Sequence, residues 1–195
     1  RRVVAELQQL LFDMPADVDL DLMQEGQTLA DITSRALTGL QATFRKLRPR
    51  VVLVQGDTTT VLGGALAAFY ERVPVGHVEA GLRTSDKFSP YPEEINRRLT
   101  DVISDVYFAA TRRARHNLLG EGLAADRIYV TGNTVVDALR YVLAQNPPLP
   151  EHLRWLEDLD GRLLLTTAHR RENLGVPFSR ICEGLREIVE RYPDV

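Results

Sequence analysis

Hydrophobic residues along this chain alternate between two spacings. Short aliphatic or β-branched runs occupy 51–54, 75–78, 106–109, 128–130 and 163–167. Runs of this length bounded by turn residues predict buried strands. Val51-Val52-Leu53-Val54, for example, is preceded by Pro49 and followed by Gly56-Asp57. Between the runs, apolar residues recur at helical spacing. The stretch 28–47 sets Leu29, Ile32, Ala36, Leu37, Leu40 and Phe44 on one face, and 58–71, 93–103, 111–121, 134–144 and 177–192 behave alike. The chain opens in another amphipathic stretch that runs to Phe12. Strands alternating with helices of this length predict parallel βαβ units, a doubly wound sheet with helices on both faces.

One segment breaks the alternation. Gln145-Asn146-Pro147-Pro148-Leu149-Pro150 cannot continue a helix and makes a stiff, extended connector. The expected division is 1–145, a connector at 146–150, and a second unit at 151–195. The last piece, about forty-five residues with a short helix near 151–156, one strand and one long helix, buries too little apolar surface to stand alone. The opening helix lacks a strand before it. The chain therefore reads as an internal segment of a longer protein.

Composition narrows the function classes. The 195 residues are 44% hydrophobic and 26% charged, with a net charge of −3. That balance gives no electrostatic case for nucleic acid, although a local basic cluster could still meet a phosphorylated small molecule. A single cysteine, Cys182, excludes an intrachain disulfide framework. No apolar run approaches the roughly 20 residues that cross a bilayer, and the start has no signal-peptide anatomy. The expectation is a cytoplasmic protein that does not enter a membrane.

Candidate chemistry lies where strands end, because open parallel sheets bind ligands beyond the carboxyl ends of their strands. Gln55-Gly56-Asp57-Thr58-Thr59-Thr60 follows the first run; it suits a capped strand-to-helix turn and equally an anion-facing helix start. Gly76-His77-Val78-Glu79-Ala80-Gly81-Leu82-Arg83-Thr84 straddles the end of the second. Glu79 is either a free carboxylate or a loop partner of Arg83, and His77 suits a satisfied, half-buried histidine. Thr166-Thr167-Ala168-His169-Arg170-Arg171-Glu172-Asn173 follows the last run, where a histidine and arginines can meet a phosphate or form a solvated charge run. Ser89-Pro90-Tyr91-Pro92-Glu93-Glu94 looks like a helix start, with Glu93–Arg97 and Glu94–Arg98 spaced four apart as surface pairs. The fingerprints GxGxxG, Walker A, paired CxxC, HExxH and GxSxG are absent, so metal catalysis and serine-type hydrolysis gain no support.

Taken together, these strings resemble the non-hydrolysing bacterial UDP-N-acetylglucosamine 2-epimerases. The matching segments are Gly26-Gln27-Thr28-Leu29, Gln55-Gly56-Asp57-Thr58-Thr59-Thr60, the run from Pro74 to Thr84, Tyr91-Pro92-Glu93-Glu94-Ile95-Asn96-Arg97, the run from Thr131 to Ala138, and His169-Arg170-Arg171-Glu172-Asn173. They stand in family order over nearly the whole chain. The resemblance implies a GT-B-like protein of two Rossmann-type, doubly wound domains, with only the first nearly complete here. It implies that Asp57, Glu79, Glu93 and His169 match catalytic positions and that Asp57, Glu79, His169 and Arg170 bind substrate. It also makes Glu93 and Arg170 candidates for an allosteric contact, with Gly26 where some activator-regulated members carry arginine. UDP-N-acetylglucosamine and UDP are the implied partners, a homodimer the implied assembly, and neither cofactor nor metal is demanded. The implied reaction eliminates UDP and adds it back after proton return at C2. Its rivals are a hydrolysing relative, an epimerase of a modified UDP-sugar, a GT-B glycosyltransferase, and a non-catalytic nucleotide-sugar binding module.

Overall fold

The computed structural model describes residues 12–168 and 174–194. Its contacts divide the chain into two units, Arg1–Val142 and Leu143–Val195. The expected opening helix falls almost wholly on residues outside those described.

In the first unit the expected elements form in order. Helix α1 is Leu29–Leu47, followed by β1 (Val52–Gln55), α2 (Thr59–Tyr70), β2 (Val75–Ala80), α3 (Glu93–Ile103), β3 (Val106–Ala109), α4 (Arg112–Gly120), β4 (Ile128–Val130) and α5 (Thr134–Ala144). The start of α1 is set by Thr28 and Asp31. The Asp31 N–H donates to the Thr28 hydroxyl at 3.2 Å and the Thr28 N–H donates to the Asp31 carboxylate at 2.9 Å, closing a reciprocal capping box. Thr58 and Thr111 cap α2 and α4 in the simpler way, each accepting from a backbone N–H three residues on.

All four strands pair in parallel in the order β1-β2-β3-β4. This is the expected parallel α/β sheet. The described strands progress one way across it, and right-handed crossovers put α2, α3 and α4 on a single face. On that face Val54, Ala65, Ala68 and Val75 form one buried cluster, and Ala80, Tyr107, Ala109, Ala114, Leu118 and Ile128 form another. Helix α2 buries Gly63, Gly64, Ala65, Ala67 and Ala68. Its small side chains let α1 approach so closely that a Cβ on Gly63 would lie 3.0 Å from that of Ala36. The opposite sheet face leaves Leu53 and Tyr129 exposed, with Phe108 stacked on Tyr129.

Helix α3 turns the usual amphipathic logic inside out. Its buried residues are Glu94, Asn96, Arg97, Thr100 and Asp101, whereas Ile95, Leu99 and Val102 are exposed. A polar stripe at helical spacing therefore faces the sheet, and it reaches the strand ends.

The second unit, taken by itself, contains a 3-10 turn at Glu151–Leu156 and the helix α6 at Val176–Arg191. Residues 146–150 are exposed and without regular structure. The strand expected at 163–167 does not form; these residues are irregular. Its ladder groups find no partner strand among the described residues of this unit, and an isolated parallel strand cannot satisfy them. Arg162 and Asp194 are paired within this unit. The Arg162 Nε donates to Asp194 at 2.7 Å, and the Asp194 carboxyl is held below the ordinary aspartate value by that guanidinium.

Candidate functional site

The carboxyl edge of the sheet collects the polar residues that the strand-end runs supplied. Register pairs Gln55 with Val78, so the residues that follow β1 lie beside the end of β2. Gly56 turns the chain with φ +82°, its N–H donating to the Val78 carbonyl at 3.0 Å. Asp57 comes next. Glu79 sits where the β2–β3 register slips between Val78 and Ala80, and its φ is +68°. Such a bulge re-aims a side chain at a sheet edge, and the left-handed conformation costs a non-glycine residue about 1–3 kcal/mol. The structure thus places Asp57 and Glu79 on neighbouring strand ends at one edge.

Both carboxylates are held. The Gln55 Nε2 donates to Glu79 Oε1 at 2.9 Å and to Thr134 Oγ1 at 2.8 Å, which brings the first residue of α5 to the same edge. Arg97 Nη2 donates to Asp57 Oδ2 at 2.7 Å, and Asn96 Nδ2 donates to the Asp57 backbone carbonyl at 3.0 Å. Arg97 is nearly buried, and its Nε has no hydrogen-bond partner among the described residues. Glu93 opens α3, three or four residues before Asn96 and Arg97, a distance of about 5 Å along a helix axis. It is half-buried, and its side chain makes no hydrogen bond or ion pair among the described residues. His169 and Arg170 lie outside the described residues.

Several expected pairings resolve differently. Arg83 does not pair with Glu79. Its Nη2 donates to Asp101 Oδ2 at 2.7 Å, and its Nε and Nη2 fork onto the two carboxylate oxygens of Glu121 at 2.7 and 2.6 Å. Burial disfavours the Arg83 cation, yet the bonds to Glu121 and Asp101 outweigh it and raise its pKa above the ordinary arginine value. Arg97 turns to Asp57 instead of Glu93. Glu94–Arg98 forms at 2.7 Å, but with Glu94 buried instead of on the surface. Burial pushes the Glu94 carboxyl upward; bonds from Arg98 and from the Thr84 N–H at 3.0 Å prevail, and its pKa lies below the usual glutamate value.

His77 is a satisfied core histidine, fully buried where half burial was expected. Its Nδ1 is 2.6 Å from Asp101 Oδ1 and its Nε2 is 2.8 Å from the Gly56 carbonyl oxygen. Gly81 completes this region: with φ +82° its N–H faces Asp101 Oδ2 at 3.3 Å, and a Cβ there would overlap the Ala114 carbonyl and the Leu118 side chain. Among the described residues no group of three or more His, Cys, Asp or Glu could hold a metal ion. No described helix is long and apolar enough to cross a membrane.

Residue-by-residue reading missed Arg97, Asn96 and Asp101. Their signal was present, since 94, 97, 101 and 104, and likewise 96 and 100, repeat at helical spacing, but polar repeats are ordinarily read as a solvent face.

Comparison with known proteins identifies the wider group. The family model described as UDP-N-acetylglucosamine 2-epimerase matches residues 2–195. UDP-N-acetylglucosamine 2-epimerase of Bacillus subtilis (strain 168) is 50% identical over 184 residues, covering 94% of this chain and 48% of its own length. The Escherichia coli (strain K12) protein of the same name is 47% identical over 192 residues, covering 95% of this chain and 51% of its own. A crystal structure of UDP-GlcNAc 2-epimerase from Neisseria meningitidis bound to UDP-GlcNAc superposes with a TM-score of 0.90 at 39% identity, over 100% of this chain and 54% of that one. The chain spans about half the length of the curated relatives it matches.

Proposed function

This chain belongs to the UDP-N-acetylglucosamine 2-epimerase family, and we propose that the protein containing it interconverts UDP-N-acetylglucosamine and UDP-N-acetylmannosamine. The single observation that carries the reading is the pair Asp57 and Glu79, fixed on adjacent strand ends by Arg97 and Gln55. The Neisseria meningitidis relative holds UDP-GlcNAc, which supports the same ligand class here.

The C2 hydrogen of the sugar is not beside a carbonyl, so direct proton abstraction has no resonance help. Elimination solves this. As the proton leaves C2, the C1–O bond to UDP breaks, and the electron pair forms the C1–C2 double bond of a 2-acetamidoglucal. A proton then adds to the opposite face of C2, and a UDP oxygen attacks C1. The sequence needs a base, an acid, and positive charge for the departing diphosphate. Carboxylates in different surroundings divide acid and base duties. Asp57 sits against a guanidinium, Glu79 against a neutral amide, and the Glu93 side chain has no polar partner among the described residues, so the three environments differ. We assign His169 and Arg170 to the diphosphate by residue type and motif, in keeping with donors aimed at developing charge. Glu93 and Arg170 are also the positions where an activating second ligand would act. The same reading extends to a cytoplasmic homodimer, testable by sedimentation of the intact protein.

The reading places part of the machinery outside these residues, so the 195-residue chain alone is expected to show no turnover. The test is incubation of the intact protein with UDP-N-acetylglucosamine in D₂O. Formation of C2-deuterated UDP-N-acetylmannosamine supports it; accumulation of free UDP identifies hydrolysis, and transfer requiring an acceptor identifies a glycosyltransferase. Binding without exchange would leave a nucleotide-sugar binding module.

A further inference from the structure

Beneath the strand ends lies a buried polar assembly that the proposed reaction does not use. His77 is on β2, two residues before Glu79, with Val54 and Tyr107 as its register partners. Its side chain is fully buried, and that of Asp101 is 1% exposed. An aliphatic residue would fill a βαβ core at such a position without polar cost, so packing alone does not call for imidazole. The ring instead bridges two polar partners. The Gly56 carbonyl can only accept, so Nε2 donates to it at 2.8 Å. Asp101 takes the Arg83 guanidinium and the Gly81 N–H on Oδ2, and its Oδ1 lies 2.6 Å from Nδ1.

The consequence falls on the turn carrying Asp57. Two consecutive carbonyls are gripped by side chains from different elements: Gly56 O by His77 of β2, and Asp57 O by Asn96 of α3. A turn that merely capped α2 would need neither, because Thr58 already accepts from the Val61 N–H. We infer that His77 is a positioning residue: braced by Asp101, it holds the Gly56 carbonyl and so sets the Asp57 turn against the strand end that carries Glu79. The inference rests on the proposed function only in taking those two carboxylates as the reacting pair.

Two substitutions separate positioning from bulk stability. Glutamine can place an amide nitrogen where His77 Nε2 lies, and asparagine can place one where Nδ1 lies. His77→Gln therefore keeps the donor to Gly56, and His77→Asn keeps only the contact with Asp101. Both lose the ring and one contact, and both are expected to lower Tm by similar amounts. In the intact protein, His77→Asn should lower kcat for C2 exchange by about 10²-fold with little change in KM, the size of loss that small misplacement produces. His77→Gln should recover at least about tenfold of that. Hydrogen–deuterium exchange over residues 55–62 provides the second readout, with faster exchange in the asparagine variant than in the glutamine variant. Equal kcat and equal exchange in the two variants would overturn the inference and leave His77 a core residue only. Failure of the unsubstituted protein to epimerise would sink the proposed function instead, and the exchange comparison would still decide the positioning role.

Discussion

Replacing Asp101 with asparagine is the sharpest test of what holds the first unit's carboxyl edge together. The substitution keeps the shape and removes the charge. Three groups converge on this side chain: His77 Nδ1 at 2.6 Å, Arg83 Nη2 at 2.7 Å and the Gly81 N–H at 3.3 Å. Arg83 keeps its fork on Glu121. His77 has no second carboxylate partner among the described residues, and its side chain is fully buried. Removing one partner of a buried pair typically costs about 3–5 kcal/mol, against about 0–1 kcal/mol for an exposed pair. The geometry puts Asp101→Asn in the first class, a fall in the folding constant on the order of 10²-fold or more. Far-UV circular dichroism during urea unfolding is a suitable probe, because the first unit carries the described sheet and its helices, whereas the single tryptophan, Trp155, belongs to the second. The midpoint should drop with the slope unchanged, and combining Asp101→Asn with His77→Gln should cost less than the two separate losses together. A loss below about 1 kcal/mol, the size of an exposed pair, would refute the reasoning.

Two further outcomes follow from the same structure. Gly81→Ala must place a side chain at φ +82° against the Ala114 carbonyl, and it should destabilise the first unit by about 2 kcal/mol or more in the same unfolding assay. Because the Glu94 carboxyl is depressed in the folded state, its contribution is fully present above the ordinary glutamate value of 4.5 and is lost as pH falls through its folded value. Stability of Glu94→Gln against pH should accordingly be flatter than wild type on the acid side, and parallel curves would contradict the pairing.

Much of the first unit was legible because its strands are short, β-branched and bounded by turns, and its helices carry their own caps. Thr28 and Asp31 announce α1, and Asp57 and Glu79 stand beside strand ends that periodicity alone located. What periodicity could not supply was direction. Helix α3 has a clear two-faced pattern, yet the polar face turns inward because Asp57, His77 and Thr84 offer it partners. Spacing four apart suggested Glu93–Arg97; the tertiary fold gave Arg97 a carboxylate from β1's end instead. The bulge that throws Glu79 into a left-handed conformation falls on a non-glycine residue, so residue type does not mark it. Residues 163–167 read as a strand because they are apolar, but a strand also requires a neighbour.

The central claim is that Asp57, Glu79 and Glu93 move the C2 proton. Proton NMR of UDP-N-acetylglucosamine in D₂O, with the intact protein and its Asp57→Asn, Glu79→Gln and Glu93→Gln variants, tests it directly. Amides keep size and hydrogen-bonding capacity, so substrate binding should change little while exchange falls by about 10²–10⁴-fold. Near-normal deuterium incorporation at C2 in all three variants would contradict the account and return these residues to holding turns and helix starts.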